Sequence, residues 1–161
     1  MPNMFNKILF LNFQEANLKP EYWNRIDKIT KRKILINADS LEVKKHLNAD
    51  CLLLKLGIGA DKSTIDRMPN LKYIGMYGTG YGRIDAAYAA KKGITVCNIA
   101  GYATEGVAEF VFGTLIAFFR DITRAKMQAE NGDYSESSYT GTEIKDKTYA
   151  TQKRRFSVHI I

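Results

Sequence analysis

Short apolar runs alternate with amphipathic stretches over the first hundred residues. Five runs have the length of strands and few polar positions; they are 7–13, 34–37, 51–56, 71–76 and 94–98. Strands that are apolar at nearly every position are typical of a parallel sheet covered on both faces. The stretches between them have helical spacing, with starts at Pro20, at Asp39 or Ser40, at Lys62 and at Ile84. The pattern therefore predicts a doubly wound α/β domain.

The pattern changes at Thr104, where one long helical stretch begins that extends to about Ala129. Its apolar positions include Phe110, Leu115 and Phe118. This is more apolar surface than a small domain covers from one side. We therefore expect another domain or another subunit to cover the helix.

These changes divide the chain into three parts: a domain over 1–103, a long helix over 104–131, and a polar linker with a disordered or aberrant tail over 132–161. The apolar run 110–119 is too short to cross a bilayer. The beginning of the chain is too broken by asparagine for a signal peptide. We therefore expect a cytoplasmic protein with no membrane partner.

Composition and charge exclude several classes of protein. Hydrophobic residues make up 45% of the 161 residues and charged residues 25%, as in a globular domain. The net charge is +7, and more than half of it falls in residues 145–161. That basic tail is short and has few aromatic residues, so we expect no nucleic-acid partner. Both cysteines lie in apolar runs, which predicts buried thiols, and the two histidines do not have metal-site spacing.

Two glycine-rich turns follow predicted strands, Gly57-Ile58-Gly59 after the third and Gly78-Thr79-Gly80 after the fourth. Ligands bind beyond the carboxyl ends of the strands in an open parallel sheet, and glycines let an anion approach bare N–H groups. For either turn alone, the requirements of a tight turn are enough to explain why glycines are present. The second turn is not a dinucleotide fingerprint, because Arg83 stands where GxGxxG requires its third glycine.

Residues 71–122 resemble the NAD-dependent D-isomer-specific 2-hydroxyacid dehydrogenases, most closely the glycerate (hydroxypyruvate) and phosphoglycerate dehydrogenase branch. The shared pattern is a glycine loop, a helix, a Gly-Ile strand, Asn-x-x-Gly-Tyr and a helix with Ala-Glu. The matching residues are Gly78-Thr79-Gly80, Ile84-Asp85, Gly93-Ile94, Asn98, Gly101-Tyr102, Thr104 and Ala108-Glu109. One departure is Gly82-Arg83, which replaces the usual Asp-Asn.

The resemblance implies a flavodoxin-like substrate domain. The family transfers hydride between NAD(H) and a small 2-hydroxy or 2-keto acid, such as glycerate, hydroxypyruvate or 3-phosphoglycerate. The N–H groups of Gly78, Thr79 and Gly80 would hold the substrate carboxylate, and Tyr102 would hydrogen-bond the substrate. Lys55 aligns with a basic residue that phosphoglycerate enzymes use for the phosphate, although a strand-end lysine that reaches solvent is the simpler explanation.

The same resemblance concerns the cofactor and the assembly. It places Thr104 and Val107 where the family's long helix meets the nicotinamide of NAD. It also implies a homodimer through residues 104–129, because the family packs this helix across a two-fold axis.

The sequence departs from the family after Thr148. The family continues with a strand and a turn of the form TLGIIGLGxIG, whereas residues 148–155 read TYATQKRR. The NAD-binding Rossmann domain is missing from these residues, and with it the family's substrate-binding Arg, Glu and catalytic His; His159 has an unrelated context. We therefore expect a truncated dehydrogenase that is inactive alone, binds no NAD and has no catalytic residue to assign. The alternative is a non-catalytic flavodoxin-fold module that dimerises or pairs with an intact paralogue.

Overall fold

A computed structural model describes residues 4–135, 141–145, 149–150 and 157–158, the last two pairs through their backbone only. The chain divides into two compact units, Met1–Tyr102 and Ala103–Ile161. The first unit contains the strands β1 (Ile8–Leu11), β2 (Lys33–Ile36), β3 (Cys51–Lys55), β4 (Tyr73–Tyr77) and β5 (Thr95–Asn98). Its α-helices are α1 (Pro20–Asp27), α2 (Lys62–Asp66) and α3 (Ala86–Lys91), and 3₁₀ helices cover Glu15–Asn17 and Leu41–His46.

The five strands form one parallel sheet in the order β2-β1-β3-β4-β5. This is the flavodoxin-like order, in which the winding direction reverses between the first and third strands. The predicted doubly wound α/β fold is confirmed. These helices begin within about two residues of the predicted starts, and Ser40, Asp61 and Asp85 each accept a backbone N–H of the helix that follows.

Buried side chains pack on both faces of this sheet. On one face Leu52, Leu54 and Ile74 are fully buried and pack with α2 and α3 residues such as Ile65 and Ala89. On the other face the ring of Phe10 lies 5.3 Å from the rings of both Phe13 and Trp23. The indole N–H of Trp23 donates to the carbonyl of Glu15 at 2.8 Å, which satisfies the polar atom of a buried side chain.

The sheet is less completely covered at β5 than its apolar strands predict. Thr95 and Cys97 are exposed on the same face as Phe10. The prediction of two buried cysteines is therefore right for Cys51 and wrong for Cys97. Burial raises the pKa of the Cys51 thiol to about 12, with a smaller contribution from the neighbouring Asp50 carboxylate, so this thiol is inert.

The second unit contains α4 (Thr104–Phe119) and α5 (Ile122–Glu130) where the sequence pattern predicts one continuous helix. The break lies at Asp121, whose φ of 45° is left-handed, a conformation that aspartate tolerates better than most residues. The N–H of Thr142 donates to the carbonyl of Phe119 at 2.7 Å, so a later segment satisfies the end of α4. A Cβ on Gly141 would lie 3.3 Å from the Cα of Arg120, so this segment passes close to the break.

Two short strands follow, β6 (Tyr149–Ala150) and β7 (Ser157–Val158), which pair antiparallel. The sequence pattern does not predict this pairing. The other residues of the expected disordered tail after Thr148 lie outside the described residues. Among the helices that the structure describes, none is long and apolar enough to cross a membrane.

Asp50 is a buried carboxylate that joins the segments before β1 and β3. It accepts the backbone N–H groups of Asn6 and Lys7, each at 2.9 Å. Burial by itself raises the pKa of Asp50, but these two donors, with the charge of Lys72, outweigh it and hold the pKa below its ordinary value. The folded state therefore favours the ionised form.

We expect Asp50→Asn to lower the free energy of unfolding by about 1–3 kcal/mol, because the amide leaves a buried N–H donor without an acceptor. The ionised carboxylate of Asp50 contributes to the free energy of unfolding above the pKa of about 3.9 that an aspartate has in the unfolded chain. This contribution is lost as the pH falls through the lower pKa of the folded state. Urea denaturation between neutral and acidic pH measures both effects. Asp39→Asn, at an exposed carboxylate, is the matched control. Equal losses in the two variants would contradict this role for Asp50.

Candidate functional site

Three loops meet at the carboxyl edge of the sheet, because the strands that precede them are parallel and adjacent. They are Gly57-Ile58-Gly59 after β3, Gly78-Thr79-Gly80 after β4, and residues 99–102 after β5. The register pairs Lys55 with Tyr77, and Met76 with Asn98, so the strands end nearly level. This is the edge at which open α/β sheets bind ligands.

The turn after β4 is held to the end of β5. Buried Gly78 accepts the N–H of Ile99 at 3.0 Å, and the side-chain amide of Asn98 donates to the carbonyl of Thr79 at 2.7 Å. The N–H of Gly78 donates to the carbonyl of Met76 at 2.9 Å. In this structure Gly78 therefore shapes the turn rather than offering a donor, which differs from the role that the resemblance implies for it.

Thr79 and Gly80 are the parts of this turn that face outward. Both are exposed, and within the described part of the chain their backbone N–H groups have no intramolecular acceptor. A Cβ built on Gly80 meets open space, so the backbone there is accessible. Adjacent backbone N–H groups without acceptors are suitable donors for an anion.

The turn after β3 uses its glycines for close packing. Gly57 has a φ of +95°, and a Cβ on Gly59 would lie 2.6 Å from the carbonyl oxygen of Arg83. The N–H of Ala60 donates to that carbonyl at 3.1 Å, and the Ala60 carbonyl accepts the N–H of Asp85 at 2.9 Å. The requirements of a tight turn therefore account for these glycines, and backbone hydrogen bonds join the residue after this turn to the segment that leads into α3.

Two cations lie at this edge. The Nη1 of Arg83 donates to the carbonyl of Gly57 at 3.1 Å, and the Nζ of Lys55 donates to the Oδ1 of Asn17 at 3.2 Å. Neither forms an ion pair with a carboxylate in the described part of the chain. The position of Arg83 was not predicted as functional; its one signal in the sequence is the departure from Asp-Asn.

The remaining predicted site residues are divided between the two units. Tyr102 is exposed and ends the first unit, directly after Gly101 with its φ of +75°. Thr104 and Val107 are exposed in the first turn of α4, in the second unit. The structure thus brings the glycine turn and the segment before Tyr102 together at one edge.

Neither α2 nor α3 offers a free N-terminus for the pyrophosphate of a dinucleotide. Binding its pyrophosphate requires a helix N-terminus with free N–H groups after a glycine-rich turn. The N-terminus of α2 is already capped by the carboxylate of Asp61, which accepts the N–H of Thr64 at 2.8 Å. Asp85 caps α3 in the same way, accepting the N–H of Tyr88 at 2.9 Å. A phosphate would meet a negative charge at either helix.

No metal site forms either: in the residues that the structure describes, no three His, Cys, Asp or Glu side chains are grouped to hold an ion.

A broad groove of about 670 Å³ lies beside α1, lined by Trp23, Lys33 and neighbouring residues. Two of its polar side chains already have partners, because Lys33 pairs with Asp27 at 2.7 Å and Trp23 donates to the carbonyl of Glu15. The glycine turn after β4 is the better candidate, since it offers donors without intramolecular acceptors.

Residues 11–157 match the family model of the catalytic domain of D-isomer specific 2-hydroxyacid dehydrogenases. A glyoxylate reductase of Thermofilum pendens is 38% identical over 103 residues, which are 62% of this chain and 30% of the reductase. A hydroxypyruvate reductase of Thermotoga maritima is 31% identical over 127 residues, 72% of this chain and 42% of that protein. The chain therefore spans less than half the length of either relative.

A solved structure shows the same fold. The crystal structure of a D-lactate dehydrogenase from Aquifex aeolicus, complexed with NAD and lactic acid, matches with a TM-score of 0.68. The two chains are 23% identical, and the match covers 84% of this chain and 41% of that enzyme. At this identity the likeness establishes the architecture and no residue's role.

Proposed function

The chain belongs to the D-isomer-specific 2-hydroxyacid dehydrogenase family, and on that premise we propose that its first unit binds the substrate of such an enzyme. The substrate is a small 2-hydroxy or 2-keto acid. Relatives of this chain are named for glyoxylate, hydroxypyruvate and 3-phosphoglycerate, which gives the class of acid. The observation that carries the proposal is the pair of outward-facing N–H groups of Thr79 and Gly80 at the carboxyl edge of the sheet.

The residues of this chain bind and orient the acid. The N–H groups of Thr79 and Gly80 donate to the two oxygens of its carboxylate. Asn98 keeps the turn in place through the carbonyl of Thr79, at 2.7 Å, so the donors are fixed before the substrate arrives. The hydroxyl of Tyr102 forms a hydrogen bond with the substrate.

Hydride transfer needs more than this turn. It requires a nicotinamide, an acid/base for the hydroxyl proton and a cation on the carboxylate. We assign no catalytic residue among these 161, and we propose that the chain has no turnover by itself. Thr104 and Val107 are the residues that would contact the nicotinamide of a bound cofactor, which supplies or accepts the hydride.

The alternative function, a module that pairs with a second copy, is favoured by a different observation. No described residue of α4 or α5 is buried, and the side chains of Phe110 and Phe118 are 75% and 77% exposed. Apolar side chains at this density mark an interaction surface. We propose a homodimer through residues 104–129, which is compatible with substrate binding by the first unit.

Titration of the ¹⁵N-labelled chain with D-glycerate tests the substrate proposal. We expect saturable amide shifts centred on Thr79 and Gly80, with millimolar affinity. Asn98→Ala should weaken that affinity about fivefold, because one hydrogen bond of about 1 kcal/mol no longer orders the turn. Asn70→Ala is the matched control, since that amide bonds to the carbonyl of Asn48 at 3.4 Å, before β3. Shifts that bypass Thr79 and Gly80 would contradict the proposal.

A further inference from the structure

Arg83 carries an uncompensated positive charge at the edge where the substrate is proposed to bind. Its side chain is exposed, and its Nη1 donates to the carbonyl of Gly57 at 3.1 Å. Three lysines of the first unit do pair with a carboxylate: Lys33 with Asp27, Lys45 with Glu42, and Lys92 with Asp66. Within the described residues Arg83 has no such pair.

The backbone fixes where this side chain begins. The carbonyl of Arg83 accepts the N–H of Ala60 at 3.1 Å, and Ala60 forms a parallel bridge with Ile84. Gly59 permits this close approach, because a Cβ there would lie 2.6 Å from the Arg83 carbonyl oxygen. Arg83 is therefore fastened to the turn after β3 through both its backbone and its guanidinium.

The anchored guanidinium keeps most of its binding capacity. A guanidinium has five N–H donors in a planar fork, and the contact with Gly57 uses one of them. The fork matches the oxygens of a carboxylate or phosphate. A carbonyl anchor orients the group and leaves its charge available, whereas a carboxylate partner would not.

The two turns are one strand apart. Adjacent strands lie about 4.8 Å apart, and Lys55 at the end of β3 pairs with Tyr77 at the end of β4. Gly57 and Thr79 each follow that pair by two residues along their own chain segment. An acid whose carboxylate sits on Thr79 and Gly80 therefore has its far end within the range of a side chain fastened at Gly57.

We propose that Arg83 is a specificity-determining residue that binds a second anionic group of the substrate, a phosphate or carboxylate at the end of the acid remote from Thr79 and Gly80. This inference rests on the proposed function. It distinguishes the chain from one with asparagine at this position, which has no charge to offer.

The experiment compares three D-2-hydroxy acids on the ¹⁵N-labelled chain: D-glycerate with one anionic group, D-3-phosphoglycerate with a phosphate, and D-malate with a second carboxylate. We expect at least one of the two acids with a second anionic group to bind about tenfold more tightly than D-glycerate, the gain of one charge-assisted contact. In Arg83→Gln that ratio should fall to about twofold, and Arg83→Lys should keep part of it. The phosphate and carboxylate arms show which group Arg83 prefers.

Two further variants distinguish a specific role of Arg83 from the general effect of removing one positive charge. Arg67→Gln removes the same charge at an exposed residue after α2, and should leave the ratio unchanged. Lys55→Gln tests the other cation of the edge. The inference is overturned if no acid with a second anionic group is preferred, if the preference survives Arg83→Gln, or if Arg67→Gln or Lys55→Gln removes it equally. The proposed function fails separately, if none of the acids shifts Thr79 and Gly80.

Discussion

Phe118→Glu is expected to convert dimers of this chain into monomers. Phe118 is 77% exposed on α4, and its ring packs edge-on against Phe119 at 5.3 Å, so it presents a rigid apolar surface. A glutamate at the centre of an apolar interface has to be desolvated without a partner, which costs several kcal/mol. Since a two-fold interface contains the residue twice, we expect the dissociation constant to rise at least 100-fold.

Analytical ultracentrifugation over a micromolar concentration range measures this change. Leu41→Glu is the matched control, because Leu41 is 78% exposed in the first unit and this substitution introduces the same negative charge. It should leave the dimer intact. A wild-type chain that sediments as a monomer throughout, or a dimer that tolerates Phe118→Glu, would contradict a homodimer through residues 104–129.

The five strands could be predicted from the sequence because a parallel sheet buries both faces and so leaves an apolar run at each strand. The starts of α2 and α3 are also determined by nearby residues, because Asp61 and Asp85 accept N–H groups only three residues further along the chain. The break at Asp121 was not local. At this break the N–H of Thr142 donates to the carbonyl of Phe119, a contact between residues far apart in sequence that no local pattern contains.

The same distinction applies to the candidate site. The glycine motif at residues 78–80 predicts where the turn lies. The hydrogen bond from the Gly78 N–H to the carbonyl of Met76 depends on how the backbone folds, so the motif does not predict it. The exposure of Cys97 depends on what covers β5, which the pattern within β5 does not contain. Arg83 acquires its orientation from the carbonyl of Gly57, in a different loop, so its residue type alone predicts no role.

The 161-residue chain is expected neither to bind NADH with measurable affinity nor to reduce hydroxypyruvate. Affinity for a dinucleotide comes largely from its pyrophosphate at a helix N-terminus and from an acidic residue on its ribose. Here Asp61 and Asp85 occupy the N-termini of α2 and α3, and Arg83 replaces the third glycine of the fingerprint. Thr104 and Val107 alone give too little contact to offset the translational freedom that the ligand loses.

Calorimetry with NADH and an absorbance assay with hydroxypyruvate check both parts of this expectation. Without a group that exchanges the hydroxyl proton, a bound pair of substrate and cofactor would still not react at a useful rate. Trace host dehydrogenase is the main source of a false signal, and Asn98→Ala separates it from the chain's own activity. Turnover that falls in Asn98→Ala belongs to this chain and would overturn the expectation, because it would show that a second copy or an unassigned residue supplies the missing acid/base group. With the substrate below saturation, where a fivefold loss of affinity lowers the rate, turnover that is unchanged in the variant comes from the contaminant.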